Sequence, residues 1–155
     1  MKAVIQRVKS AELSANGKFK SKIKDGLLVL LGVAKDDTVK DAEILAKKTV
    51  NIRIFCDEND KMNLSVKDKN FEILSVSNFT LISDTKKGNR PYFGDALNPK
   101  EANELYNKFC SFLKTEIENS DLIKTGEFGA DMEIKTSLSG PVTINLNSKD
   151  YNKEK

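Results

Sequence analysis

Three polar residues stand where an apolar stretch of the chain ends, and their types could support hydrolytic chemistry. Ser77, Asn78 and Thr80 lie in the segment SVSNFTLISD, directly before a long loop. A threonine nucleophile needs an adjacent base, and the chain contains no histidine. That base would have to be a lysine, a carboxylate or the substrate itself, while backbone amides could instead stabilise an oxyanion. By itself the pattern favours the simpler interpretation, a strand end whose hydroxyls cap backbone groups.

The pair Gly140–Pro141 is a second candidate. It directly precedes VTINL, whose alternation of apolar and polar residues predicts a half-buried strand. Proline is tolerated as the first residue of a strand, so the pair is predicted to form a turn at the mouth of that strand. A rigid, functional lip is the alternative interpretation.

Arg7 lies inside the apolar segment IQRV near the start of the chain. An arginine in such a strand has to pair or reach a polar edge, because burying an unpaired charge is costly. An ordinary charge at a strand edge explains it equally well.

The loop segment DTKKGNRPYF combines positive charge with aromatic rings. Lys86, Lys87 and Arg90 stand beside Tyr92 and Phe93. This combination suits a phosphate backbone and an unpaired base of RNA. Judged alone, it fits better a solvated loop with a hydrophobic anchor.

The composition limits the kinds of protein that this chain could be. Its 155 residues fit one domain, and its net charge of +3 does not by itself indicate nucleic-acid binding. Without histidine, and with Cys56 and Cys110 far apart, we expect no metal site and no cofactor. The cysteines are predicted to be buried free thiols in a reducing cytoplasm. The first residues do not fit a signal peptide and no stretch approaches about 18 apolar residues, so we expect a cytoplasmic protein without membrane contact.

Hairpin signals dominate the predicted elements. Asn16-Gly17 predicts a two-residue hairpin turn, and LLVLLGV predicts a central strand that is apolar on both faces. Helices are predicted to start at Thr38, with Asp41 completing the cap, and at Asn98-Pro99. We therefore predict an α+β fold with a mostly antiparallel sheet, two main helices and a single domain. Strands are predicted at 2–8, 11–15, 18–23, 27–33, 52–55, 71–77 with a continuation over 79–82, around 123, at 132–137 and after Pro141, with a loop over 83–98.

Several motifs agree in order and spacing with one family. The chain reads IQRV, LLVLLGV, S-x-F-T-L, G-x-R-P, FGADM and GPVT in that order. It thereby resembles the D-aminoacyl-tRNA deacylase family from Met1 to about Leu146. The resemblance assigns residues 1–146 to a deacylase-like domain and leaves residues 147–155 as a polar C-terminal tail.

The resemblance implies a function and a site. The family hydrolyses the ester between a D-amino acid, or glycine, and the 3′ end of tRNA, including glycine mischarged on tRNA(Ala). It forms a homodimer with an antiparallel, barrel-like sheet, and its Gly-Pro has a cis peptide that reaches into the partner's active site and rejects L-amino acids. On this basis Gly140 and Pro141 form that lip and Arg7 steadies it.

The remaining catalytic and substrate-binding residues come from the resemblance, which implies Ser77, Phe79 and Thr80 as catalytic. The tRNA-binding candidates Lys86, Lys87 and Arg90 are predicted from their charge beside the aromatic residues of the loop. Asn78, Phe93 and Met132 are implied to bind substrate, with Phe93 facing the terminal adenosine. The chain departs from the family at two positions: Asn78 stands where glutamine is usual, and Leu138 stands where asparagine is usual.

Two other functions stay open at this stage. One is a protein of the same fold that binds the tRNA end and has lost turnover, which the two departures permit. The other is an unrelated dimeric barrel protein with no role in RNA metabolism. We expect no DNA partner.

Overall fold

The computed structural model describes residues 1–151, and within them the chain forms eight strands and three α-helices. The strands are β1 (Lys2–Ala15), β2 (Lys18–Ile23), β3 (Gly26–Gly32), β4 (Phe55–Cys56), β5 (Met62–Leu64), β6 (Glu72–Ser77), β7 (Ile123–Thr125) and β8 (Met132–Asn147). The helices are α1 (Val39–Asn51), α2 (Val66–Lys69) and α3 (Pro99–Glu116), and 3₁₀ turns cover Phe79–Ile82, Ser120–Leu122 and Ser148–Asp150.

The long strand β1 organises the main sheet of six strands. One edge of β1 pairs with β8 along nearly its whole length, and the other edge pairs with β3 and then with β2, all antiparallel. Beyond β3 the sheet continues through β6 to β7. The Ser21 hydroxyl on β2 donates a hydrogen bond to the Thr125 carbonyl oxygen on β7. The sheet therefore curls into a nearly closed barrel, as the resemblance implied.

The sheet is mixed, so the prediction of a mostly antiparallel sheet is wrong in that part. The pairs β3–β6 and β6–β7 are parallel. Parallel neighbours need a long crossover connection, and here the connections contain α1 and α3 respectively. Turn residues predict hairpins locally, whereas a crossover return to the same sheet leaves no local pattern.

The two main helices begin where the sequence predicts. Thr38 precedes α1, and its backbone N–H donates to the Asp41 carboxylate at 2.9 Å. Asn98 precedes α3 with Pro99 in the first position, and its side chain accepts from the Glu101 N–H at 3.1 Å. The short α2 has no counterpart among the predicted elements, because its cap at Ser65 lies in a polar run without helical periodicity.

Two apolar cores lie on opposite faces of the sheet. One packs α1 and α3 against β3 and the start of β1, and the other fills the barrel between β1, β2 and β6. Leu27, Val29 and Leu31 belong to the first core and Leu28 to the second. The prediction that this strand is buried on both faces is confirmed.

Other predictions change in detail. The strand predicted over 52–55 is reduced to Phe55–Cys56, and 79–82 is a 3₁₀ turn and not a strand. Cys110 is buried as expected, but Cys56 is exposed, because it pairs within the small β4–β5 hairpin and not in the main sheet. Of the polar tail predicted from Asn147, residues 148–150 form a 3₁₀ turn with Ser148 buried, and residues 152–155 lie outside the described part. No helix within residues 1–151 is long and apolar enough to cross a membrane.

Candidate active site

A cavity of about 850 Å³ opens at the end of β6 and contains most of the residues predicted to act on the substrate. Three segments form it: the 3₁₀ turn after β6, the end of the 83–98 loop with the start of α3, and the segment from Phe128 into β8. Ser77, Asn78, Phe79, Thr80, Phe93 and Met132 all line it. The structure thus brings together six candidates that are spread over more than fifty positions of the chain.

Asn78 fixes the backbone of the 3₁₀ turn that carries the catalytic candidates. Its own N–H donates to the Leu31 carbonyl oxygen on β3 at 2.8 Å. Its side-chain oxygen Oδ1 accepts from the Thr80 N–H at 3.2 Å and also from the Thr80 hydroxyl. Asparagine can therefore cap this turn, although the resemblance implies glutamine at this position.

The backbone N–H of Phe79 is a hydrogen-bond donor that the turn itself does not use. The Phe79 N–H has no hydrogen-bond partner among residues 1–151, whereas the Thr80 N–H is engaged by Asn78. Phe79 is exposed at the cavity. A free backbone amide beside a cavity is a candidate donor to an oxygen on which negative charge develops.

The aromatic rings of Phe79 and Phe93 meet edge to face. Their centroids are 5.2 Å apart and their planes are inclined by 72°. Phe93 belongs to the 83–98 loop, which also forms a bridge between Asp84 and Tyr92. The contact therefore holds this loop against the catalytic candidates, and both rings present apolar surface to the cavity.

A buried polar cluster supports β6 from beneath the site. The Tyr106 hydroxyl on α3 donates to the Ser75 carbonyl oxygen at 2.8 Å, and the Cys110 thiol donates to the Ser75 hydroxyl at 3.6 Å. Burial raises the pKa of the Tyr106 phenol far above its ordinary value, and burial also raises the pKa of the Cys110 thiol. Both groups therefore remain neutral near pH 7, and their hydrogen bonds hold Ser75, which lies two residues before Ser77.

Gly140 and Pro141 lie inside β8, so the prediction of a turn at the mouth of a strand is wrong. Gln6 pairs with Thr143 and Val8 with Leu138, so residues 139–142 bulge opposite the single residue Arg7. Proline has no N–H to give to a ladder, which accounts for the interrupted pairing. The Gly140–Pro141 peptide is cis, and both residues are exposed.

Arg7 is a half-buried residue that meets this bulge. Its Nε donates to the Ser139 carbonyl oxygen at 3.2 Å, and its Nη1 donates to the Ile54 carbonyl oxygen at 2.7 Å. The charge thus reaches backbone oxygens, as the sequence argument required. Arg7, Gly140 and Pro141 form a group of their own and do not line the cavity of this chain.

The cationic candidates lie on the 83–98 loop. Lys86, Lys87 and Arg90 are exposed and stand between the bridged residues Asp84 and Tyr92. The same loop supplies Phe93 to the cavity wall. These cations are therefore carried by the segment that borders the cavity.

Sequence reasoning missed most of the apolar lining. Leu30 and Val76 come from strands, Leu97 and Ala102 from the loop and α3, and Phe128 from the segment before β8. Their types are those of ordinary core residues, so no local pattern distinguishes them. Within residues 1–151 no group of three or more histidine, cysteine, aspartate or glutamate side chains could hold a metal ion.

Comparisons with known proteins agree on one family. The family model described as D-Tyr-tRNA(Tyr) deacylase matches residues 4–147. Proteins named D-aminoacyl-tRNA deacylase from Clostridium novyi (strain NT) and Finegoldia magna are 48% and 50% identical, each over 96% of this chain and over 98% and 99% of their own length. The one from Thermosipho africanus is 51% identical over 96% of this chain and 98% of its own.

Two solved structures share the fold. The c-Myc DNA unwinding element binding protein is 43% identical with a TM-score of 0.90, over 95% of this chain and 98% of that one. A probable eukaryotic D-amino acid tRNA deacylase is 17% identical with a TM-score of 0.79, over 94% of this chain and 97% of that one. The second likeness supports the barrel-like α+β architecture alone.

Proposed function

The chain belongs to the D-Tyr-tRNA(Tyr) deacylase family and is a D-aminoacyl-tRNA hydrolase, and we propose that the cavity at the end of β6 is where the ester is cleaved. The observation that carries this proposal is the meeting of Ser77, Phe79, Thr80, Phe93 and Met132 on the walls of one cavity. Its apolar rings suit an aminoacyl group and an adenine.

The proposed step uses backbone and substrate groups. Water adds to the ester carbonyl carbon, and the carbonyl oxygen, which becomes negative, accepts a hydrogen bond from the Phe79 N–H. The bond to the ribose 3′ oxygen then breaks. The proton lost by the water passes through the neighbouring ribose 2′-hydroxyl to the 3′ oxygen, which leaves a free D-amino acid and tRNA with its terminal hydroxyl restored.

In this scheme Thr80 is not the nucleophile. Its hydroxyl already donates to Asn78 Oδ1, and the chain has no histidine to remove its proton. Ser77 and the Thr80 side chain line the cavity and shape it around the ester. Asn78 holds the Thr80 N–H, and the scheme assigns the Phe79 N–H to the ester oxygen.

Chirality is proposed to come from a second copy of the chain. In a homodimer, Gly140–Pro141 of one protomer would stand at the cavity of its partner and crowd the side chain of an L-amino acid. The pair is exposed and does not line its own cavity. Leu138 and Phe79 are exposed apolar residues that such an interface would cover, and two-fold dimers are the commonest closed assembly.

The same wall has a consequence for glycine. A wall made of backbone discriminates only by crowding a side chain, and glycine has none. We therefore propose that the cavity also accepts glycine, including glycine mischarged on tRNA(Ala).

The loop cations are proposed to contact the tRNA backbone. Lys86, Lys87 and Arg90 lie on the loop that carries Phe93 into the cavity wall. With the terminal adenosine against Phe93, the adjoining phosphates would pass these side chains. Contacts of this kind weaken as salt rises, because they release counterions.

The deciding experiment is deacylation of one tRNA charged with D- or L-tyrosine, with sedimentation of the same protein at micromolar concentration. We expect hydrolysis of the D-form, little or none of the L-form, and a dimer. Equal rates for both enantiomers would remove the chirality proposal. Tight binding of the D-form without turnover, measured in a single-turnover assay, would make the protein a tRNA-end binder.

A further inference from the structure

Phe19 on β2 is the most exposed large hydrophobic side chain within residues 1–151. Its surface is 65% accessible. An exposed ring contributes little to folding, because it removes little apolar area from water. It lies among lysines in the segment KFKSKIK, a setting that favours contact with an anionic ligand over packing in the core.

A β-bulge puts the ring on the outside. Phe19, Ser21 and Ile23 alternate with lysines, so strict alternation would place all three on the inner face of the barrel. Ser21 and Ile23 are indeed buried. However, Leu13 pairs with Ser21 while Ser14 pairs with Phe19, so Lys20 is an extra residue in β2 and the side chain of Phe19 turns outward. Bulges re-aim side chains in this way and often lie beside functional sites.

The exposed ring borders a basic groove between β2 and β7. The groove has a volume of about 450 Å³, and Lys20, Lys22 and Lys124 line it with Phe19. Lys22 lies 3.3 Å from the Glu12 carboxylate, but both side chains are exposed, so the pair is weak. Lys20 and Lys124 make no ion pair within residues 1–151. An aromatic face beside unpaired cations suits a base and its phosphates.

The groove and the cavity are close together along the chain. Thr125 lines the groove and Phe128 lines the cavity, so only two residues lie between them and their Cα atoms are at most about 11 Å apart. The Asn16 N–H, at the tip of the β1–β2 hairpin, donates to the carbonyl oxygen of Asp131, another cavity residue, at 2.8 Å. A polynucleotide that ends in the cavity therefore needs only a few nucleotides to reach Phe19.

We propose that this groove is a second RNA subsite, in which an unpaired nucleotide upstream of the terminal adenosine stacks on Phe19. Lys20 and Lys124 bind its flanking phosphates. The proposal rests on the proposed function, since it takes the tRNA 3′ end as the occupant of the cavity. It adds an RNA contact outside the 83–98 loop.

The test compares substrates that do and do not reach the groove. We would measure kcat/KM of the full-length protein for D-tyrosyl-tRNA and for the D-tyrosyl ester of adenosine, which fills the cavity alone. Phe19→Ala should lower kcat/KM for the tRNA about tenfold, the size expected for one lost stacking contact. The value for the adenosine ester should stay within twofold. Phe19→Tyr, which keeps the aromatic face, should behave as the unaltered protein.

Lysine variants and a direct binding assay complete the test. Lys20→Gln with Lys124→Gln should weaken binding of an RNA stem with an unpaired 3′ tail several-fold and flatten its salt dependence, and Lys40→Gln on α1 is the matched control. RNA affinity and tRNA kinetics unchanged in both groove variants would overturn the proposal, as would equal losses on the adenosine ester. A dimer that dissociates on Phe19→Ala would overturn it too, by making the surface a protein interface. If no D-aminoacyl-tRNA is hydrolysed at all, the proposed function fails, and the RNA-binding assay still decides the subsite.

Discussion

The guanidinium of Arg7 on β1 donates a hydrogen bond from Nε to the carbonyl oxygen of Ser139 on β8, at 3.2 Å. A second bond from Nη1 to the Ile54 carbonyl oxygen, at 2.7 Å, holds the same side chain from the other side. One planar group thus ties the bulge that contains Gly140–Pro141 to the chain between α1 and β4.

Replacing Arg7 by lysine should loosen this bulge. Lysine keeps the charge but lacks the planar fork that serves two carbonyl oxygens at once. We expect a loss of about 1–3 kcal/mol in the free energy of unfolding and a rise in hydrolysis of L-tyrosyl-tRNA relative to the D-form. Urea unfolding and paired rate measurements would check both. Arg53→Lys is the matched control, since Arg53 contacts a single carbonyl oxygen, that of Asn63, at an exposed position. If the ratio of L to D rates is unchanged in Arg7→Lys, Arg7 has no part in discrimination between D- and L-amino acids.

Gly140→Ala should be more damaging than the same change at another glycine with positive φ. Gly140 has a φ of +121°, and an added Cβ would lie 2.9 Å from Val142 Cγ2 and 3.1 Å from Arg7 Nη2. Gly88 has a φ of +102° with nothing within 4 Å. Strain of about 1–3 kcal/mol is common to both, but only Gly140→Ala adds crowding. Thermal unfolding of the two variants should therefore show the lower Tm for Gly140→Ala, and equal Tm values would contradict the argument.

Thr80→Ala should reduce the deacylation rate less than tenfold. In our scheme the hydroxyl donates to Asn78 Oδ1 and is not the nucleophile, whereas removal of the substrate's 2′-hydroxyl should cause a much larger loss. The measurement is single-turnover hydrolysis of D-aminoacyl-tRNA by the variant, beside hydrolysis by the unaltered protein of a tRNA ending in 2′-deoxyadenosine. An acyl group trapped on Thr80, or the reverse order of losses, would make Thr80 the nucleophile.

Asn78→Ala should be worse than Thr80→Ala, because it releases the Thr80 N–H as well as the hydroxyl. Loss of such a cap typically costs about 1 kcal/mol, and the turn that carries the Phe79 N–H would lose its fixed shape. We expect kcat to fall while the global Tm changes by only a few degrees. Asn78→Gln, which restores the residue usual in the family, should retain activity. If the Asn78→Ala rate matches that of Thr80→Ala, the cap does not position the turn.

Tyr106 should make stability depend on pH above about 10, the ordinary pKa of an unfolded tyrosine. Burial raises its pKa in the folded state, so the folded protein holds the phenolic proton more tightly than the unfolded chain. That contribution is complete below the unfolded pKa and is lost as pH rises above it, by about 1.4 kcal/mol per pH unit. The free energy of unfolding in urea should be compared between the unaltered protein and Tyr106→Phe from pH 7 to 11. Both proteins contain Cys110, so the difference between them reports on the Tyr106 phenol. A difference between them that is constant over this range would contradict the assignment.

Much of the fold follows from local patterns in the sequence. Thr38 and Asn98 predict the helix starts because a cap depends on residues three positions apart. Asn16–Gly17 predicts its hairpin because both residues adopt positive φ, 49° and 76°. The apolar run over 27–33 predicts a doubly buried strand because no polar side chain interrupts it. Arg7, Thr80, Arg90, Met132 and the Gly140–Pro141 pair also belong to motifs whose order along the chain resembles one family.

The tertiary structure decided what depends on pairing between distant segments. β6 pairs in parallel with β3 and β7, which are distant in the chain. Residues 128–132 meet the end of β6 at the cavity, and Arg7 contacts Ser139. One inserted residue reverses the faces of a strand, because side chains alternate with a period of two. Lys20 therefore turns Phe19 outward although its spacing predicts burial, and the 139–142 bulge presents Gly140 and Pro141 at the surface. The sequence determined which residue types were available, and strand register decided which of them face the substrate.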